Sequence, residues 1–378
     1  MDKGQILELL KTINYPGFSR DIVSFGIVEN IKITEKTISL KLKLPSQSDE
    51  MKQQIISSIK KKLEAIAQFE KINIISESVS TKSILQQPSV QQRVKLNGEI
   101  QHIVAVASGK GGVGKSTVAA NLAAALQLKG KKGGLLDLDI YGPSLPIIFG
   151  INEAPRITSD KKLIPVEKYG LRLMSFGFIS GNNSPVIWRG PMVAKMTEQF
   201  FSDVEWGKLD YLILDLPPGT GDVQLTLTQQ LKISGVIIVT TPQDIALADV
   251  RKSADMFSKV GAPILGVVEN MSGLLVEGKV IASDEIKPPV KIEIKGKTTV
   301  ATDKSGNFSF KLDIFKKGGG RQESKRLDAP LLADVPLSAE IVNSTDSGKP
   351  IVLAKPSSLI AEFYHKIADK IINQLNQN

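Results

Sequence analysis

From Ile103 onward the chain alternates short, continuously apolar runs with helical stretches, the runs falling at residues 103–107, 134–138, 171–176, 211–214, 235–240 and 264–268. Strands that are apolar without alternation belong to a parallel sheet covered on both faces, so this region predicts an α/β domain. After Pro356, the residues Leu359, Ile360, Phe363, Tyr364, Ile367, Ile371, Ile372 and Leu375 recur at i, i+3, i+4 spacing and predict a final helix packed on that sheet. The first 80 residues follow a different rhythm. Residues 37–44 alternate strictly and end at Pro45, a half-buried strand. Ile55, Ile56, Ile59, Leu63 and Ile66 then share one helix face opposite Lys60, Lys61 and Lys62, and residues 71–75 read as a second strand. Residues 1–80 therefore predict a small α+β domain, residues 81–99 a linker rich in Gln, Ser and Lys, and residues 100–378 the α/β domain. Within the last, residues 273–313 break the pattern: strands are predicted at 276–281, 290–294, 298–302 and 308–312, with a turn at 304–307, a β-rich insertion.

Composition narrows the chemistry. Among 378 residues there are two histidines, His102 and His365, and no cysteine, which excludes disulfides, thiolate zinc sites, cysteine nucleophiles and iron–sulfur clusters ligated by this chain alone. The net charge of +9 is spread thinly, +4 over residues 1–100, +3 over 273–317 and +2 over the remainder. A lysine-rich solvated surface accounts for this better than a nucleic-acid groove, which needs clustered cations with interleaved aromatics. No stretch approaches the ~18 uncharged apolar residues of a membrane span, and the expectation is a cytoplasmic protein without membrane or nucleic-acid partners.

The chemistry-bearing motif is Gly109-Lys110-Gly111-Gly112-Val113-Gly114-Lys115-Ser116-Thr117, set between an apolar strand and a helical stretch. It matches the phosphate loop G-x-x-x-x-G-K-[ST] in the context that confirms it. Backbone N–H groups and the helix N-terminus surround phosphate oxygens, Lys115 neutralises the β and γ phosphates, and the Ser116 hydroxyl ligates Mg2+. Lys110 is surplus to that cradle; its spacing is equally compatible with a solvated loop lysine and with a cation reaching a phosphate in a facing subunit. Asp137 and Asp139 end one predicted strand and Asp215 another, at the ligand-binding edge of a parallel sheet. Asp215 reads as the residue holding Mg2+ through water, and one of Asp137 or Asp139 as the group orienting an attacking water.

These residues carry a resemblance. The loop with its early Lys110 resembles the deviant phosphate loop of MinD/ParA-type ATPases. Residues 139–144, Trp188-Arg189-Gly190-Pro191-Met192, the segment 210–225, Val268-Glu269-Asn270-Met271-Ser272, Gly318-Gly319-Gly320 and residues 346–351 narrow it to the Mrp/ApbC-type iron–sulfur cluster carrier ATPases. The first 80 residues, with Pro16 and the run 21–28, are similar to the iron–sulfur assembly domain that often precedes this ATPase. The resemblance implies a P-loop NTPase fold with a mostly parallel sheet flanked by helices, and slow ATP hydrolysis in a nucleotide-sandwiched homodimer. It implies a labile [4Fe-4S] cluster passed to apo iron–sulfur proteins or assembly proteins as clients. Lys110 would reach across the dimer, Thr117 would touch the α-phosphate, Asp139 would activate water, Asp215 would be the Walker B carboxylate and Asn270 would read adenine.

The sequence departs from that family at one place. Where a Cys-x-x-Cys pair usually follows the Asn-Met-Ser segment, this chain has Gly273-Leu274-Leu275-Val276 and the insertion, and oxygen donors such as Asp284, Glu285 or Asp303 are poor iron–sulfur ligands. Three readings follow: a cluster carrier whose partner supplies the thiolates, a nucleotide-switched scaffold with the insertion as its docking surface, and a MinD/ParA-like positioning ATPase. The last ranks lowest, since Glu362 and Asp369 accompany Lys366 and Lys370 on the terminal helix. Trp188, Arg189 and Trp206 fit a subunit interface or a local core equally well.

Overall fold

A computed structural model describes residues 3–13, 21–23, 27–34, 37–45, 49–64, 66, 69, 71–79, 98–140, 142–180, 199–219, 224, 228, 231–281, 283, 287–294, 298–315 and 317–377. The chain divides into two units, Met1–Gln91 and Gln92–Asn378, each with its own apolar core.

In the first unit α1 (Lys3–Leu10) precedes β1 (Val28–Thr34), β2 (Thr37–Pro45), α2 (Asp49–Glu64) and β3 (Lys71–Val79). β1 runs antiparallel to β2, and β2 runs parallel to β3. The alternation seen in the sequence sorts β2 by face: Ile38, Leu40 and Leu42 are buried, whereas Thr37, Ser39 and Lys41 are half-exposed. Ile55, Ile59 and Leu63 of α2 enter the same core, as a 3.6-residue period requires.

The second unit contains β4 (Gly98–Ser108), α3 (Lys115–Leu128), β5 (Gly133–Asp137), α4 (Leu145–Phe149), β6 (Arg156–Ile157), β7 (Leu163–Ile164), β8 (Val166–Lys168), β9 (Leu171–Ser175) and α5 (Phe176–Ser180). It continues through β10 (Gly207–Asp215), β11 (Gly235–Thr240), α6 (Asp244–Lys259), β12 (Ile264–Lys279), β13 (Lys291–Ile294), β14 (Thr298–Ala301) and β15 (Asn307–Leu312). α7 (Gly319–Arg326), β16 (Leu331–Leu337), α8 (Ala339–Asp346), α9 (Ile351–Ala354) and α10 (Leu359–Asn376) complete it. Its nine-stranded sheet has the order β15-β12-β11-β4-β10-β5-β9-β8, with β16 also paired to β12. Only β8 and β15 join antiparallel. All six apolar runs are strands of this sheet, and every residue of β5 and β11 is buried, which is why they show no alternation.

Two features differ from expectation. The strands predicted at 264–268 and 276–281 are one 16-residue strand, β12, whose second half pairs with β15, so the insertion extends the central sheet. Local periodicity could not show this, because the same strand changes neighbours midway. The strand β16, parallel to β12, was hidden by Asp334 and Pro336 within its short span. The turn between β14 and β15 follows the expected sequence: the Asp303 carboxylate accepts hydrogen bonds from the Ser305 and Asn307 backbone N–H groups, both at 2.8 Å.

The terminal helix α10 packs on α3 and β16 through Tyr364, Ile367 and Ile371, whereas Leu359 at its first turn is exposed. Among the described residues no helix is long and apolar enough to cross a membrane. Because Ile367 is fully buried, Ile367→Ala should lower the unfolding free energy of this unit by about 2–5 kcal/mol. Lys366→Ala, on the exposed side of the same turn, should change it by no more than ~0.5 kcal/mol, with urea denaturation as the check.

Candidate functional site

The parallel strands end along one edge of the sheet, and this edge collects Ser108, Asp137, Ser175, Asp215, Thr240 and Asn270, all buried. Between β4 and α3 the chain turns through Gly109–Gly114, with Gly112 and Gly114 at φ 79° and 78°. Two glycines are demanded by their surroundings. A Cβ on Gly109 would lie 2.2 Å from the backbone N of Val250 in α6, and one on Gly114 would lie 2.2 Å from Asn270 Nδ2. The loop delivers Lys115, Ser116 and Thr117 as the first turn of α3, where backbone N–H groups lack intrahelical acceptors and the helix dipole favours an anion.

Beneath that turn, Lys115 Nζ donates to Asp215 Oδ1 and lies 3.4 Å from Ser116 Oγ. Both charges are almost fully buried. Asp215 Oδ2 is buried with no hydrogen-bond partner among the described residues, an arrangement that suits a cation alongside the Ser116 hydroxyl. Burial raises the Asp215 pKa and the nearby Asp139 charge adds to this, while Lys115 and Ser116 act against it. The chain leaves Asp215 along the phosphate loop: the Gly219 N–H donates to Ser108 O at 3.0 Å, and Gln224 Nε2 donates to Pro217 O.

The structure separates the two aspartates that spacing left equivalent. Asp137, on the strand beside Asp215, accepts from the Asp139 N–H at 2.9 Å, the Ser144 N–H at 3.1 Å, the Leu145 N–H at 3.4 Å and the Ser175 hydroxyl at 3.0 Å. Its oxygens are fully engaged in shaping the loop that follows β5. Burial first, then the charge of Asp215, pushes its pKa up to about 7 against these donors and Lys115. Asp139 is half-buried and accepts one 3.3 Å bond, from the Gly142 N–H, which leaves lone pairs for another donor. The Lys110 side chain is half-buried, with no ion pair among the described residues.

Asn270 stands at an irregularity of β12 where Met271 takes φ 55°, and its Nδ2 donates to Val113 O at 2.8 Å. The amide thus holds the phosphate loop, and the residue also forms part of a cavity of about 210 Å³ reached from Gly114 and Thr117. Sequence reasoning missed two contributors. Ser175, the last residue of β9, links Asp137 to the Gly177 N–H, which donates to its hydroxyl at 3.0 Å. Glu269, raised in pKa chiefly by burial, accepts from the Gly320 N–H, so Gly318-Gly319-Gly320 seats the start of α7 on β12. A polar residue closing a strand was the available signal for Ser175; Glu269 lies within β12, and its partner Gly320 is 51 residues away in sequence.

Several motif residues, Tyr141, Trp188 to Met192 and Thr220 to Val223, lie outside the described residues, as do Asp284 and Glu285. Trp206 is a core residue, and Asp303 is occupied by its turn. No group of three or more His, Asp or Glu able to hold a metal occurs among the described residues, and the chain has no cysteine.

Comparison with known proteins gives two family matches, a NUBPL iron-transfer P-loop NTPase over residues 99–284 and 300–372 and an iron–sulfur cluster assembly protein over residues 3–74. The chain is 38% identical over 373 residues to the iron–sulfur cluster carrier protein of Deinococcus radiodurans, covering 98% of this chain and 95% of that protein. It is 41% identical over 281 residues to the mouse iron–sulfur cluster transfer protein NUBPL, covering 74% and 79% respectively. Among solved structures it is similar to a nucleotide-binding protein of Archaeoglobus fulgidus in complex with ADP, at a TM-score of 0.52 and 31% identity, covering 70% of this chain and 92% of that one.

The glycine geometry predicts a contrast. Gly109→Ala would drive a methyl into α6 backbone and should cost more than ~3 kcal/mol in chemical denaturation. Gly111→Ala, whose methyl would come no nearer than 4.0 Å to the Pro218 ring, should cost less than ~1 kcal/mol.

Proposed function

The chain belongs to the NUBPL iron-transfer P-loop NTPases, and from that premise we propose that it is an Mg2+-dependent ATPase of iron–sulfur cluster assembly, acting in the cytoplasm as an ATP-dependent homodimer. The observation that carries this reading is the buried Lys115–Asp215 pair under the loop 109–117, with Asp215 Oδ2 left unpartnered. The ADP bound by the Archaeoglobus fulgidus relative supports an adenine nucleotide here.

In this reading the N–H groups of the loop and of the first turn of α3 bind phosphate oxygens, Lys115 exchanges Asp215 for the β and γ phosphates, and Thr117 contacts the α-phosphate. Ser116 and Asp215 would hold Mg2+, which would neutralise charge developing on the phosphate oxygens. Asp139 orients a water molecule for attack on the γ-phosphorus and takes its proton as the bond to the ADP oxygen breaks, while Asp137 and Ser175 hold the Asp139 loop in place. Lys110, free of an ion pair among the described residues, reaches the nucleotide of the second subunit.

The cargo is an iron–sulfur cluster, passed to apo iron–sulfur proteins or assembly proteins. With no cysteine in the chain, the thiolates for a [4Fe-4S] cluster come from the partner. The thin spread of positive charge supports protein clients rather than nucleic acid or a membrane surface. A second reading, a nucleotide-switched scaffold that holds no cluster, is favoured by the same absence of thiols and by the unbroken β12–β15 ladder directly after Ser272.

Lys115→Ala should abolish ATP binding in calorimetry. Lys110→Ala should leave ATP affinity intact but slow hydrolysis by about 10²-fold or more, measured where the dimer forms; equal rates would remove the trans-acting role. In anaerobic reconstitution, the protein alone should take up no iron or sulfide. A mixture with a thiol-bearing client should acquire visible thiolate-to-iron absorption faster when ATP is present, and no effect of the protein or of ATP on that rate would favour the scaffold.

A further inference from the structure

Helix α6 lies against the phosphate loop at its backbone. At Asp249 and Val250 it runs so close to Gly109 that a side chain there has no room, and the buried Ser253 donates its hydroxyl to Gly219 O at 3.4 Å. One helix thus touches both the start of the loop 109–117 and the loop that follows Asp215.

α6 also meets α7 along a single ridge. Leu247, Arg251 and Asp255, spaced one turn apart, face Gly319, Glu323 and Arg326 in the same order, so the two helices run parallel and in register. The first pair is a close approach: a Cβ on Gly319 would lie 2.7 Å from Leu247 Cδ1. The other two are ionic. Arg326 Nε stands 3.0 Å from each Glu323 oxygen and its Nη2 2.6 Å from Oε1, while its Nη1 donates to Asp255 Oδ1 at 2.7 Å. Arg251 Nε lies 3.5 Å from Glu323 Oε2.

Solvated ion pairs contribute little, and Arg251 and Asp255 are half-exposed. Glu323 is different. Its side chain is 1% exposed, and a carboxylate withdrawn from water is costly unless cations and hydrogen bonds meet it. An apolar side chain would fill the seam with no such demand. The two arginines that meet it come one from each helix, so what the cluster specifies is the position of α6 on α7. α7 is itself tied to the site, because its Gly320 N–H donates to Glu269, the residue before the Asn270 that holds Val113. α6 and β12 each touch the phosphate loop, and α7 is fastened to both.

We propose that Glu323 and Arg326 are positioning residues for the phosphate loop: by locking α6 to α7 they hold the segments at Gly109 and Gly219 in the shape that receives the triphosphate. The assignment rests on the nucleotide reading given above and extends it to residues outside the loop and the strand ends. Arg251 and Asp255 are the α6 half of the lock.

The test compares the full-length chain with Asp255→Ala, which opens the lock without stranding the buried Glu323, with Arg326→Met and with the double variant. Each is titrated calorimetrically in the presence of Mg2+ with ATP and with inorganic tripolyphosphate, which has no base. Lys162→Met is the control, since Lys162 pairs with Asp203 at 3.2 Å and comparable exposure in another part of the fold. Asp255→Ala should weaken both ligands about 3- to 10-fold, because the loss falls on the phosphate cradle. Adding it to Arg326→Met should change affinity by less than about 2-fold, the link being already broken. Without nucleotide, hydrogen exchange at the amides of 109–114 and of Gly219 should quicken in both single variants. Lys162→Met should lower the melting temperature and alter neither affinity nor exchange at those amides. Unchanged affinity or unchanged exchange in Asp255→Ala would overturn the assignment. So would a loss confined to ATP, or an equal loss in Lys162→Met, which marks a general effect of stability. If the unaltered chain binds tripolyphosphate, the phosphate site stands whichever way the variants fall; if it binds neither ligand, the nucleotide reading fails and the assignment with it.

Discussion

The site depends on one buried ion pair, Lys115 with Asp215, where the first residue of α3 meets the last residue of β10. Withdrawing two charges from water is expensive, and their attraction repays it only when geometry and additional hydrogen bonds are good. Here one carboxylate oxygen is left without such a bond, so the pair is poorly explained as a source of stability. On the proposed function it is two halves of a polyanion and cation site held together, lysine for phosphate and carboxylate for metal. The neighbouring Asp137 sits directly opposite Asp215 in the parallel ladder; burial first, and then the charge of Asp215, raises its pKa, whereas at Asp215 burial is opposed by the Lys115 ammonium.

Around that pair, each strand end has a separate task. β4 supplies the loop, β5 supplies Asp137 as an organiser and Asp139 as an available acceptor, β9 supplies Ser175 as a brace, and β12 supplies Asn270 as a clamp on Val113. β12 then continues past the edge as a ladder with β15, tied down by Lys311 at 3.0 Å from Asp334 and 3.4 Å from Ser272. The position where the resemblance expects a metal-binding thiol pair is thus regular β-structure. On the proposed function, phosphate chemistry and cargo chemistry are parted in this chain: the first rests on its own residues, and the second, with no cysteine in the chain, on thiolates from another protein.

Much of this was legible along the chain. The phosphate loop is a local motif, since its glycines, lysine and hydroxyl act within nine consecutive residues, and continuous apolar runs announce a sheet covered on both faces. The register of hydrophobic residues placed Ile38, Leu40 and Leu42 inward and Lys41 outward, because a strand's period of two leaves no alternative. Asp215 was readable as a ligand-edge carboxylate, but that Lys115 would be its partner across 100 residues was not.

What waited on the folded chain were relations between distant segments. Asp137 and Asp139 have equal claims in sequence; only the arrival of Ser175 and of the Ser144 and Leu145 N–H groups saturates one and leaves the other available. Thr117 and Ile341 have nothing in common along the chain; they line one cavity only because α8 comes to the irregularity of β12 at Asn270 beside the phosphate loop. The reason is physical: periodicity and backbone propensity act over a few residues and are written locally. The partner of a hydrogen bond or the contents of a cavity depend on which strands lie side by side, and that is decided when the whole sheet is assembled.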